Sequence, residues 1–180
     1  MAIVASDIKF KLSVTTGSAG NTVAQATVDN SLGKYISTTA IVDNTLNNLF
    51  SDLTGAQNLA SQVDYRCIFV HNSHATLTYI GAVIWISNQV AGGADVAIGL
   101  DTTATSALGA SSAQALTIAS TTTAPAGVTF SAAASQGAGL TIGDIPAGQV
   151  KAVWVRRTAN NTVPVNSDGG TLSIAGDTNA

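Results

Sequence analysis

Ile8-Lys-Phe-Lys-Leu-Ser-Val14 is the stretch whose reading decides the fold. Ile8, Phe10, Leu12 and Val14 alternate with Lys9, Lys11 and Ser13. A period of two predicts a β-strand with one wet face, because successive side chains of an extended chain point to opposite sides. Two further segments, Tyr65 to Val70 and Ala75 to Ile86, are dense in aromatic and β-branched residues and read as strands. Cys67 and Phe69 share a face of the first, Leu77 and Tyr79 a face of the second. Between them His71-Asn-Ser-His74 predicts a hairpin turn. Gly81 interrupts the alternation, which predicts a bulge that re-aims Val83-Ile-Trp-Ile86 and makes Trp85 a core anchor.

Working outward, Asp95 to Leu100 reads as a short strand. It is followed by a tract of Ala, Ser and Thr from Asp101 to Ser135, whose apolar islands at Leu116 to Ile118 and Val128 to Phe130 read as short strands between long turns. Gly139 to Ile142, the turn Asp144-Ile-Pro-Ala-Gly148, the run Val150 to Arg157 and finally Leu172 to Ile174 supply the remaining strands. Val150, Ala152 and Trp154 fall on one side of theirs. Leu46, Leu49, Phe50 and Leu53 recur at helical spacing behind Asp43 or Asn44, so a helix is expected from Thr45 to about Leu53, ended by Gly55. Residues 15–39 carry only scattered apolar positions and read as an extended arm or loop. Short strands at intervals of about ten residues with no alternating helices predict a mainly β protein. The expected fold is an antiparallel β-sandwich or jelly roll with one short helix and long loops or an extended N-terminal arm, residues 1–180 forming a single domain.

Composition narrows the function. Charged residues make up 9% of the chain, against about 25% in an ordinary globular protein. All 10 acidic residues are Asp, and Lys and Arg total 7. A surface covered by Thr, Ser, Asn, Gly and Ala suits close packing against neighbouring chains more than free solvation. The net charge of −3 and the lack of any basic run argue against nucleic acid as a partner. No apolar run approaches the roughly 20 residues that span a bilayer. The N-terminal residues show no basic region followed by an apolar stretch, so a soluble product made in a cytoplasm is expected. The lone Cys67 excludes an intrachain disulfide and, between Arg66 and Ile68 in an apolar strand, reads as a small buried hydrophobe rather than a nucleophile.

Residues that could carry chemistry are few. His71 and His74, three apart in a strand or turn, point to opposite faces and have no adjacent Cys or Glu to complete a metal site. Asp95, Asp101 and Asp168 could offer oxygens to calcium, yet scattered Asp residues are ordinarily turn formers. No Gly-x-Ser-x-Gly elbow is present, and Ala91-Gly-Gly93 and Gly137-Ala-Gly139 lack the ending of a phosphate loop. Arg156 and Arg157 face opposite ways: one lies over the core edge, and an ion pair with an Asp competes with a subunit contact as the reading of the other. The expectation is no enzyme, with no catalytic, cofactor-binding or metal residue and no cofactor.

Asp64-Tyr-Arg-Cys-Ile-Phe-Val70, Ala75-Thr-Leu-Thr78 with Val83-Ile-Trp-Ile86, and Asp144-Ile-Pro-Ala-Gly-Gln149 with Val153-Trp-Val-Arg-Arg157 resemble segments of small virion structural proteins of tailed bacteriophages. The resemblance spans Leu49 to Arg157 and rests on strand sequences rather than a catalytic signature. It implies a place in the virion, as a decoration or cement protein of the head or as a tail-associated part, with the major capsid protein, other virion proteins and further copies of the chain as partners. Neither nucleic acid nor membrane is among them. The Ile8 to Val14 strand and the arm at 15–39 are the segments expected to reach those partners. A tail, collar or fibre component is the alternative, and a carbohydrate-binding sandwich a third, the latter requiring Trp85 or Trp154 on the surface.

Overall fold

The computed structural model of the chain describes residues 2–17, 22–165 and 167–178. It is mainly β, with 41% of residues in strands and 8% helical, and its strands pair antiparallel. The elements are β1 (Ile8–Val14), β2 (Tyr35–Ala40), α1 (Gly55–Leu59), β3 (Val63–Asn72), β4 (Tyr79–Gln89), β5 (Asp95–Leu100), β6 (Ser106–Ala107), β7 (Leu140–Ile145), β8 (Gln149–Thr158) and β9 (Gly170–Thr178). One sheet runs β2-β1-β3-β8-β5, with β6 extending the same edge of β8, and the second runs β7-β4-β9. The expected sandwich is what forms.

The long strands alternate as their composition dictates. Ile68 and Val70 of β3 and Val153 and Val155 of β8 face the smaller sheet, meeting Ile84, Ile86 and Ile145 in the first core. Cys67 and Phe69, with Val150, Ala152 and Trp154, face the other way into a second core with Ile36, Ala115 and Ile118. The central sheet is therefore covered on both faces, by a sheet on one and by coil on the other. That coil is the Ala, Ser and Thr tract after Asp101. Its islands do not become strands: they give isolated bridges, Gly33 with Thr117 and Ile98 with Ser131. Small side chains let the coil lie flat on the sheet, and Leu116, Val128 and Phe130 pack into it.

Asp101 fastens this layer. It is 2% exposed. Its Oδ2 accepts from the Trp154 indole N–H at 2.6 Å and from the Leu116 N–H at 2.9 Å, and its Oδ1 from the Thr103 N–H at 2.7 Å. Close by, the Lys34 N–H donates to Leu116 O at 3.1 Å, and Gly33 approaches so tightly that a Cβ there would lie 1.8 Å from the Leu116 oxygen, at a φ of +95°. Only glycine fits.

Several expectations are corrected. The helix from Thr45 to Leu53 is absent, because Asn44 and Asn47 take φ of 55° and 58°, the left-handed region that interrupts a helix. The helix that does form begins at Gly55, capped by Thr54 Oγ1 accepting from the Gln57 N–H at 3.2 Å while Gln57 Oε1 accepts from the Thr54 N–H at 2.8 Å. His71 to His74 is not a hairpin turn: β3 and β4 lie in different sheets, and the link crosses between them. There the Asn72 side-chain amide donates to Leu77 O and Ile145 O, at 2.9 and 2.8 Å. The bulge at Gly81 is real, with a register shift between Tyr79 and Ala82, but it turns Ile84 and Ile86 inward and leaves Trp85 half-buried on the outer face.

The segment 15–39 is also different from a free arm. Residues 18–21 lie outside the described ones; from Tyr35 onward the chain is β2, paired with β1, and its Ile36 is fully buried. Polar side chains fold the intervening loop inward, as where Gln25 Nε2 donates to Ser13 O and Asn30 O, each at 2.8 Å. β1 itself sits between β2 and β3 and has no open edge. β1 and the described part of 15–39 are therefore packed into the fold.

Replacing Asp101 with Ala strands the Trp154 and Leu116 donors in a buried site. The expected loss is about 3 kcal/mol of unfolding free energy, read from urea denaturation followed by Trp fluorescence.

Candidate functional site

Some of the scarce charges gather at one place, while others such as Asp43, Asp95, Asp144 and Asp177 stand exposed. The β3–β8 register sets Asp64 opposite Arg157 and Arg66 opposite Val155, so all three charged side chains project from the end of the face that holds the first core. Arg157 donates from Nη2 to Asp64 Oδ2 at 2.7 Å, and the Gln62 amide holds Asp64 Oδ1 at 2.9 Å. Arg66, whose side chain is 2% exposed, pairs through Nη2 with Asp29 and donates from Nη1 to Tyr65 O at 2.9 Å.

The segment 49–53 lies over this group. The Phe50 ring takes both guanidinium groups, with Arg157 Cζ 4.7 Å and Arg66 Cζ 5.1 Å from its centroid. Arg157 Nη1 donates to Ser51 O at 2.7 Å, and Ser51 Oγ donates to Asp29 Oδ1 at 3.0 Å. Asp52, Gln57, Gln62 and Thr121 complete the walls of a small polar cavity of about 240 Å³. Asp29, Asp64, Arg66 and Arg157 are paired with one another and with main-chain oxygens, although the Nε of each arginine is buried without a partner, so the cluster is a clamp: it pins the loop after β2 and the loop before it onto the central sheet. No imidazole or thiol lines it to act as base or nucleophile.

The residues singled out in the sequence are scattered. Asp95 and Asp101 flank β5, which at about 3.3 Å per residue separates them by roughly 20 Å. Asp101 is filled by N–H donors, and Asp168 Oδ2 accepts from the Ala94 N–H at 2.8 Å. Among the described residues no group of three His, Cys, Asp or Glu could hold a metal ion. Cys67 is fully buried, and burial pushes its thiol well above the ordinary range, which leaves it a protonated hydrophobe at neutral pH. The two arginines diverge as expected: Arg157 joins the clamp while Arg156 lies over the Phe130 ring, 5.3 Å from its centroid, on the other face. Trp154 is fully buried, while Trp85 is half-buried on the outer face of β4. The clamp was hidden from sequence reading because Asp29 and Arg66 meet only through the tertiary fold; Phe50 was legible as apolar, but not as the ring between two cations.

His71 faces the second core side of β3, 6% exposed, with Nδ1 lacking a hydrogen-bond partner. His74 sits in the link between sheets, where its Nδ1 accepts from the Thr76 and Leu77 N–H groups at 3.2 and 3.0 Å. A scan of protein-family models, a search of curated proteins and a search of solved structures each return no match to this chain.

Two predictions follow the geometry. Asp64→Ala leaves Arg157 without its buried carboxylate, and urea unfolding should show a loss of about 3 kcal/mol. Burial, with Lys11 and Lys9 beside it, pushes the His71 pKa down from 6.5 to about 4. The unfolded chain takes up this proton at the ordinary pKa and the folded chain only near 4, so stability falls as pH drops through that window. The urea midpoint of the His71→Gln protein should fall less than that of the parent between about pH 7 and about pH 4.5.

Proposed function

We propose that this chain is a non-enzymatic structural component of a bacteriophage particle, a decoration or cement protein that stabilises the capsid through contacts with the major capsid protein and with its own copies. The observation that carries this reading is where the charge goes. Arg66 and Arg157 are paired with Asp29 and Asp64, the Lys151 ammonium is held by the main-chain oxygens of Asp101 and Thr103, and Arg156 and Lys34 lie over aromatic rings. With these cations held within the fold, the outside is mostly Ser, Thr, Asn, Ala and Gly, with scattered aspartates such as Asp43, Asp95, Asp144 and Asp177 among them. A sparsely charged, hydroxyl-rich surface carries a small desolvation cost when it is covered, and its few carboxylates repel identical copies on a lattice only weakly. Multiplicity then compensates for modest contacts, since each added neighbour binds the folded form alone. The resemblance of the β3, β4 and β8 strand sequences to small phage virion proteins supports the same reading.

Antibody raised against the folded protein and applied to intact particles of a phage encoding it should label the whole head in electron micrographs. Label confined to the tail or neck would move the protein to that part of the virion. Absence of the chain from purified particles by mass spectrometry would end the virion reading.

A further inference from the structure

The two sheets have four lateral edges besides the two-residue β6: two of them are covered and a third discourages pairing. The edge of β2 is covered by residues 23–25: the Thr38 N–H donates to Val23 O at 3.0 Å, and Thr39 Oγ1 accepts from the Gln25 N–H at 3.0 Å and donates to Gln25 O at 3.1 Å. The edge of β5 is covered by Ser131, which exchanges two main-chain bonds with Ile98 at 2.9 and 2.8 Å, and by the Gln89 side chain, which accepts from the Val96 N–H at 2.7 Å. β7 is short, is offset from β4 by two register shifts, and runs directly into Pro146. Short, irregular, proline-ended edges discourage pairing.

The fourth edge is different. β9 is 9 residues long, Gly170-Thr-Leu-Ser-Ile-Ala-Gly-Asp-Thr178, and pairs on one side with β4. Among the described residues no strand or loop pairs with its other side. It contains no Lys, Arg or Pro, the residues that natural edge strands use to refuse partners. Its inner residues Leu172 and Ile174 are partly buried against the first core and line a groove of about 1370 Å³ that opens beside it.

We infer that the free edge of β9 is a self-association surface that takes β9 of a second copy, antiparallel across a two-fold axis, joining two three-stranded sheets into one of six strands. A second copy carries the same open edge, and the charge on β9 selects the direction. An unpaired strand edge is satisfied by another strand, whose N–H and C=O groups match its own. The one charge on β9, Asp177, lies near its C-terminal end. In a two-fold antiparallel pair it meets the Gly170 and Thr171 end of the other copy, whereas a parallel pair would set Asp177 against Asp177. Thr171, Ser173 and Ala175 would meet across the axis on the outer face, and Leu172 and Ile174 of both copies would close the groove on the inner one. This surface follows from strand pairing alone and stands whether or not the chain belongs to a virion.

Sedimentation velocity of the purified full-length protein over a range of concentrations tests it, with a parallel set of single-cysteine variants oxidised under non-denaturing conditions. The expected result is a reversible dimer, weakened on the order of tenfold in Kd by Ser173→Lys, which places two ammonium groups beside the axis while circular dichroism stays that of the parent. At least one of Thr171→Cys, Ser173→Cys and Ala175→Cys should form a disulfide-linked dimer, and Thr141→Cys on β7 should not, since a disulfide needs Cα atoms within about 7 Å. A parent that stays monomeric at every concentration, with no β9 cross-link, overturns the inference. So does a dimer that Ser173→Lys leaves intact and only Thr141→Cys captures. Binding of β9 to a different protein's strand, without self-association, also overturns it.

Discussion

A single buried carboxylate holds the architecture together. Asp101 stands where β5 ends and the Ala, Ser and Thr tract begins, and its oxygens are shared among that tract, through Leu116 and Thr103, and the largest side chain of the core, Trp154. A carboxyl group at this depth is tolerated because each oxygen is met by N–H donors, which supply inside the protein what water supplies outside. The hydroxyl-rich coil could otherwise slide over the sheet, since Ala, Ser and Thr offer little shape to lock a position. Asp101 fixes the register of the coil, and Gly33 fixes its height above β2.

The same logic governs the rest of the charge. Arg66 and Arg157 are long, costly side chains to bury, yet each has a carboxylate partner and both share the Phe50 ring. The clamp thereby does the work that the missing helix at 45–53 would have done, holding an irregular segment over the open end of the sandwich. Charge here organises loops, and apolar side chains build the sheets.

The strands were legible where period two was strong. β1 and β5 fall on the boundaries read from the sequence, β3 and β8 extend their readings by one or two residues at each end, and β4 starts four residues later than read, at Tyr79, and ends three later, at Gln89. β2 escaped because Tyr-Ile-Ser-Thr-Thr-Ala alternates weakly, and because its neighbours resemble linker sequence. The apparent helix at 45–53 shows why spacing alone misleads: Leu46 is 77% exposed, so the apolar pattern there contains a residue that no core claims, and the two asparagines already favour left-handed turns. The bulge at Gly81 was legible, but not that it turns Ile84 and Ile86 inward rather than Trp85. The ionic clamp joins residues from four separated segments, and only the fold brings them together.

The position of the coil layer along the chain has a consequence for how the molecule assembles. Residues 101–135 dock on β8, which spans Gln149–Thr158 and is therefore made after them. During synthesis the tract can already meet Leu32, Lys34 and β3, but the layer is completed only when β8 has left the ribosome and Trp154 arrives to meet an Asp101 that is already there. Such distant contacts make for slow folding. A waiting segment of Ala, Ser and Thr is well suited to that delay, because it exposes little apolar surface on which a half-made chain could aggregate.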